Sequence, residues 1–155
     1  MKVYRGFDGD SDPFGKESII WFAVDPAVAF GYANRRRNPT VREYEISPKR
    51  SFDAGRSEQR VKVTELLSRA LKQSRISKDK MQAAQELFNA IREEFGTQTN
   101  DVHHFWFTSK HFPAYLESLG FDSITATEDG ADTIGILRQF KSMIKQFQHD
   151  RVRVL

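Results

Sequence analysis

The sequence predicts a mixed α+β fold with helices inserted between two halves of a sheet. Three observations carry this: short β-rich runs sit toward both ends of the chain, helical spacing fills its middle, and no repeat or low-complexity segment breaks the order. That order is strand, strand, helix, strand, helices, strand, strand. At 155 residues the chain has the length of one domain, residues 1–155. Phe, Leu, Ile and Val total 39 of these residues, about a quarter, above the roughly one fifth below which chains tend to stay unfolded.

Lys2 to Arg5 and Ile19 to Phe22 are compact β-formers and predict the first two strands, joined by a polar loop. Asp25-Pro26 supplies an N-cap and a first-turn proline. Val28, Ala29, Tyr32 and Ala33 then recur at helical spacing. Val41 to Ile46 alternates apolar and polar until Pro48 stops it, which predicts a half-buried third strand. Val63, Leu66, Leu67 and Leu71 define one helical face. Ser77 is placed to cap a second helix carrying Met81, Ala84, Leu87, Phe88 and Ile91, which Gly96 ends. Phe112, Tyr115, Leu116 and Leu119 form a third helical stripe closed by Gly120, with Pro113 tolerated in its first turn. Phe121 to Ala126 and Thr133 to Leu137 predict two strands joined by a polar turn from Thr127 to Asp132.

The absence of cysteine excludes disulfides, thiolate nucleophiles, Cys-ligated zinc and iron–sulfur clusters. The longest apolar stretch, around Ile19 to Val24, is far short of the ~20 residues that span a bilayer. Met1 to Arg5 lacks the apolar run of a secretory signal, so the cytoplasm is the expected compartment. The net charge of +3 is unevenly spread. Residues 35–80 hold 14 basic and 6 acidic groups, a local +8 that suits an acidic protein, a nucleic acid or a phosphate-bearing ligand. No aromatic-interleaved motif for base stacking sits among Arg35, Arg36, Arg37, Arg56, Arg60 and Lys62.

Metal chemistry finds little support. Asp8-Gly9-Asp10-Ser11-Asp12 imitates the start of a calcium loop, but Pro13 stands where that loop needs Gly and Ile19 where it needs Glu. His103, His104 and His111 lack the spacing of a zinc hydrolase, and Ser109 with His111 lacks the surroundings of a nucleophile–base pair. Phe105-Trp106-Phe107 reads as an anchor to the core. What remains is spread along the chain, as sites built on a sheet are. Arg5 in Tyr4-Arg5-Gly6 can grip phosphate or ribose oxygens with a planar fork. Trp21-Phe22-Ala23 ends a strand and a helix then presents Tyr32, so these aromatics can sandwich a flat ring. Gly120-Phe121-Asp122-Ser123-Ile124 leads to the carboxylate of Glu128, held by the return strand Thr133 to Leu137.

Tyr4-Arg5-Gly6, Ile20-Trp21-Phe22-Ala23 with Ala29-Phe30-Gly31-Tyr32-Ala33, and Gly120-Phe121-Asp122-Ser123-Ile124 with Glu128-Asp129-Gly130 together resemble the ADP-ribosyltransferase superfamily. The chain is most similar to its small phage and bacterial members, which include polyvalent-protein and toxin domains and an anti-CRISPR that modifies its target Cas protein. The resemblance implies a split, mixed or antiparallel sheet and NAD as co-substrate. It implies Arg5 and Gly6 as NAD-binding residues, and Trp21, Phe22, Ala23 and Tyr32 as the frame of the nicotinamide. Glu128 would be the catalytic acid and a target protein the acceptor. Where the arginine-first branch carries Ser-Thr-Ser, this chain has Phe22-Ala23-Val24, which leaves its branch open. Ala126 replaces the Glu or Gln of arginine-modifying members and argues against arginine as acceptor. The helical segment from about 57 to 95 is the candidate for target recognition. The competing reading is a non-catalytic module that uses residues 35–80 to bind an acidic protein or nucleic acid.

Overall fold

The computed structural model describes residues 1–56, 61–74, 81–96, 101–102 and 104–153. In chain order the elements are β1 (Lys2–Asp8), β2 (Ile19–Ala23), α1 (Pro26–Ala33), β3 (Pro39–Ile46), β4 (Ser51–Arg56), β5 (Val61–Lys62), α2 (Val63–Gln73) and α3 (Met81–Glu94). Then come β6 (Asp101–Val102), a 3₁₀ segment (His104–Thr108), α4 (His111–Ser118), β7 (Ser123–Glu128), β8 (Ala131–Leu137), a second 3₁₀ segment (Arg138–Met143) and β9 (Ile144–Arg153). The α+β class expected from the sequence is the class observed. No helix among the described residues is long and apolar enough to cross a membrane.

Seven strands form one sheet in the order β4-β7-β8-β2-β1-β3-β9, antiparallel throughout except between β4 and β7. Its middle is its weakest seam. β1 pairs with β3 over seven positions and β2 with β8 over five, yet β1 and β2 share one register pair, Tyr4 with Ala23. Past that rung the two strands splay. The sheet is therefore two half-sheets, β4-β7-β8-β2 and β1-β3-β9, joined at a single point.

Parallel neighbours need a long crossover, and α2, α3 and α4 occupy the one from β4 to β7. They do not lie between the half-sheets in space. Leu66 and Leu67 of α2, Phe88 and Ile91 of α3 and Phe112 of α4 pack with Ile19, Phe52 and Ile124 of the first half-sheet. Each such side chain contributes about 1.5–3 kcal/mol by leaving water. Phe52 meets Phe112 and Phe121 edge-to-face at 6.2 and 5.6 Å. Trp106 and Phe107 are buried in the same cluster, as an anchoring role requires. A second cluster, with Val3, Ile20, Phe22, Tyr44 and Ile134, fills the opposite face under Phe14 and Phe140.

α1 starts as its sequence dictates: the Asp25 carboxylate accepts from the Ala27 N–H at 2.8 Å, with Pro26 in the first turn. Its Ala29 and Ala33 pack with Ala23 and Val41. Gly6 makes that approach possible, because a Cβ there would lie 2.1 Å from the Ala29 carbonyl oxygen. At the other end of the sheet, buried Asp122 staples two strands. Its carboxylate accepts from the Lys49 and Arg50 N–H groups at 2.8 and 3.2 Å and from the Ser123 hydroxyl at 2.7 Å.

Three features depart from the sequence expectation. β4, β9 and the short pair β5 and β6 were not anticipated, β1 runs three residues beyond Arg5, and the turn after β7 is shorter than read. Thr127 and Glu128 pair with Asp132 and Ala131, so only Asp129 and Gly130 turn the chain, both at positive φ (49° and 76°). Ser77 and His103 lie outside the described residues.

Candidate active site

The splay between β1 and β2 opens a cleft of about 220 Å³. Arg5 and Gly6 of β1 line it, as do Trp21, Phe22 and Ala23 of β2, Tyr32 of α1 and Glu128 at the end of β7. All seven residues singled out from sequence thus meet at one place, although up to 123 positions separate them. Glu17, Arg36 and Thr133 join them.

Their parts in the cleft differ. Successive residues of a strand face opposite sides of a sheet, so Trp21 and Phe22 cannot both present a ring to the same ligand. The Phe22 ring is buried against Tyr44 and Phe14, at centroid distances of 5.4 and 6.4 Å. Trp21 is half-buried, 6.3 Å from Phe107, and lies over Gly135, where a Cβ would come within 3.1 Å of the indole. Of the two, Trp21 is the ring available to a ligand. Ala23 is buried in the α1 cluster, and Gly6 keeps α1 close to β1.

Tyr32 and Glu128 are joined: the phenol donates to Glu128 Oε2 at 3.2 Å. Burial, then the charge and hydrogen bond of Glu128, push the Tyr32 pKa above the usual tyrosine value. The phenol therefore stays protonated and able to donate throughout the neutral range. Glu128 itself is held by the two-residue turn that follows it and by its pairing with Ala131. Thr133, buried beside it, donates to the Ala126 carbonyl at 3.0 Å and steadies β7.

Arg5 acts partly on the protein itself. Its Nη1 donates to the Trp21 carbonyl at 2.6 Å and its Nε to the Pro13 carbonyl. The first bond replaces a ladder rung that the splayed strands no longer form. Burial is the main cause that pulls the Arg5 pKa down, opposed by Glu17 and assisted by the neighbouring cations Arg138 and Arg36.

A second hollow of about 190 Å³ lies on the far side of the Tyr32–Glu128 pair, between α1 and the β7–β8 turn. Val28, Gly31, Arg35 and Ala131 line it, and it shares Tyr32 and Glu128 with the cleft. Glu128 is thus reachable from two sides.

Other candidates from sequence are structural. The Ser109 hydroxyl donates to Glu94 at 2.8 Å and accepts from the His111 N–H at 3.2 Å, so it tethers the start of α4. No group of three metal-ligating side chains occurs among the described residues. Among the described residues of the basic region 35–80, several cations are engaged within the protein. Arg50 donates to the Gln73 carbonyl, Arg69 to the Ala54 carbonyl at 2.9 Å, and Arg42 stacks over Phe7 at 5.0 Å. Arg35, Arg36 and Arg37 remain exposed at the end of α1.

The sequence marks Arg36 only as part of the basic stretch 35–80, and it does not mark Glu17. Arg36 lies past the end of α1, so helical spacing from Tyr32 does not place it in the cleft. Glu17 lies in a loop and no local pattern marks it. Comparison with protein-family models, with curated proteins and with solved structures finds no match to this chain.

Proposed function

We propose that the chain is an NAD-dependent mono-ADP-ribosyltransferase of the phage-inhibitor or toxin type, with Glu128 as its catalytic carboxylate and a protein as its target. One observation carries the reading: Arg5, Trp21, Tyr32 and Glu128, distant in sequence, line a single cleft where two half-sheets part. The split of the seven-stranded sheet is also what an ADP-ribosyltransferase-like fold would supply.

The donor set fits NAD. The co-substrate brings a nicotinamide–ribose bond whose cleavage builds positive charge on the ribose. The half-buried Glu128 carboxylate, fixed by its turn and by the Tyr32 hydroxyl, would hold a ribose hydroxyl and stabilise that charge more in the transition state than in the ground state. Trp21 and Tyr32 would confine the planar nicotinamide, and Arg5 keeps three of its five N–H donors for ribose oxygens. The cleft volume of about 220 Å³ is below the roughly 300–1,000 Å³ of sites that enclose a whole ligand, so it suits the reacting end of a dinucleotide. The second hollow gives an acceptor its own approach to Glu128, which favours transfer over simple hydrolysis.

The reading is tested by incubating labelled NAD and a host-cell lysate with the protein and with its Glu128→Gln variant. Label on macromolecules with the parent protein and none with the variant is the expected result. The second reading, a binding module, draws on the exposed Arg35-Arg36-Arg37 turn. It requires affinity for an acidic partner that falls steeply with salt and ignores NAD.

A further inference from the structure

We infer that Arg36, rather than Arg5, is the residue that takes the negative charge of the ligand, and that Arg5 serves chiefly as the brace that keeps the cleft open. The assignment rests on the proposed function only for the identity of the ligand, a dinucleotide diphosphate. The anion site itself follows from the geometry.

The two arginines line the same cleft under opposite conditions. The Arg5 guanidinium is half-buried and already committed to the Trp21 carbonyl of β2 and the Pro13 carbonyl of the loop between β1 and β2. The Trp21 bond spans the strands where their ladder is lost, so removing Arg5 costs the protein its own structure. Arg36 is exposed, and its guanidinium makes no hydrogen bond or ion pair among the described residues. It is nevertheless held at the cleft, since its backbone N–H donates to the Ala33 carbonyl at 2.9 Å and continues the turn of α1. Arg36 is near enough to help lower the Arg5 pKa, so the two cations repel each other across a cleft in which the Glu17 carboxylate partly offsets them. A bound diphosphate would relieve that repulsion, and the free planar fork of Arg36 matches two phosphate oxygens at once. The position is also the right one for a cleft that encloses only the reacting end of a dinucleotide, because the diphosphate then falls at the mouth.

The test is calorimetric titration of the full chain with inorganic pyrophosphate and, separately, with NAD, comparing the parent protein with Arg36→Ala, Arg36→Lys and Arg5→Ala, with the melting temperature of each recorded. Arg36→Ala is expected to weaken binding of both ligands roughly ten-fold or more, the size of a lost charged hydrogen bond, at an unchanged melting temperature. Arg36→Lys should recover part of the affinity, and Arg5→Ala should lower the melting temperature. Pyrophosphate binding that Arg36→Ala abolishes, with no NAD binding by any form, would uphold the anion site and reject NAD as its ligand. Parent-like affinity of Arg36→Ala for either ligand, or a parent protein that binds neither, would overturn the assignment.

Discussion

The Tyr32–Glu128 pair concentrates the site's chemistry in one hydrogen bond across 96 positions of sequence. A phenol that donates to the carboxylate fixes its orientation without neutralising it. Removing that hydroxyl as Tyr32→Phe should lower kcat by about 3- to 10-fold, the worth of one partly exposed hydrogen bond, with little change in KM. Because the Tyr32 pKa is raised, its donor persists through neutral pH, and activity should fall only above the ordinary tyrosine range as the phenolate forms. The Tyr32→Phe profile should lack that alkaline fall; identical profiles would assign it to another group. These residues were legible in the sequence because each is a conspicuous side chain at the end of a strand or on a short helix. Phe22 shows the limit of such reading. Its neighbour Trp21 faces the cleft, and period two then sends Phe22 into the core, a consequence visible only once the strand is placed in its sheet.

Elements set the cleft's shape, and the closest fit among them is α1 on β1. Gly6 touches no ligand in order to matter: a Cβ there would meet backbone atoms of Ala29 and Ala33, at 2.1 and 2.9 Å, that cannot yield as a side-chain tip can. Gly6→Ala should therefore cost about 3 kcal/mol or more in urea unfolding, at the upper end of overpacking penalties, and displace Tyr32 with α1. Retention of parent stability would show that α1 shifts freely. The helices and β1, β2, β3, β7 and β8 were legible because their apolar residues follow local periods. β4 and β9 were not. Ser51–Arg56 has two buried apolar residues, Phe52 and Ala54, and a bulge before Gly55 at φ 70°, and it is a strand because β7 lies parallel beside it. Ile144–Arg153 is mostly polar, as an edge strand can be, and its register comes from β3.

At the scale of the whole molecule, the charge of residues 35–80 and the helices within them change meaning once folded. Part of the local +8 is spent inside, on the Gln73 and Ala54 carbonyls and the Phe7 ring. α2 and α3 are a core layer, so a target could meet this region only on their exposed face, and their deletion would remove Leu66, Leu67, Phe88 and Ile91 from the core. That core also hides a liability. The Tyr115 hydroxyl is buried with no hydrogen-bond partner among the described residues, and burial pushes its pKa up to about 12. A folded pKa above the unfolded one leaves stability intact below about pH 10 and erodes it as pH rises toward and through about 12. Tyr115→Phe should match or exceed the parent protein's stability at neutral pH and lose less of it in alkali. Urea unfolding at neutral and alkaline pH checks this, and parallel losses in both proteins would contradict it.

The central claim is that Glu128 makes this cleft an NAD-cleaving site, and the most direct test is nicotinamide release from NAD by the purified protein and its Glu128→Gln variant at matched folding. Steady release by the parent protein and a loss of about 100-fold or more in the variant are expected, the scale of one removed electrostatic contribution to a transition state. Near-equal release by both would contradict the assignment of Glu128, and a parent protein that neither binds nor cleaves NAD would contradict the enzymatic reading.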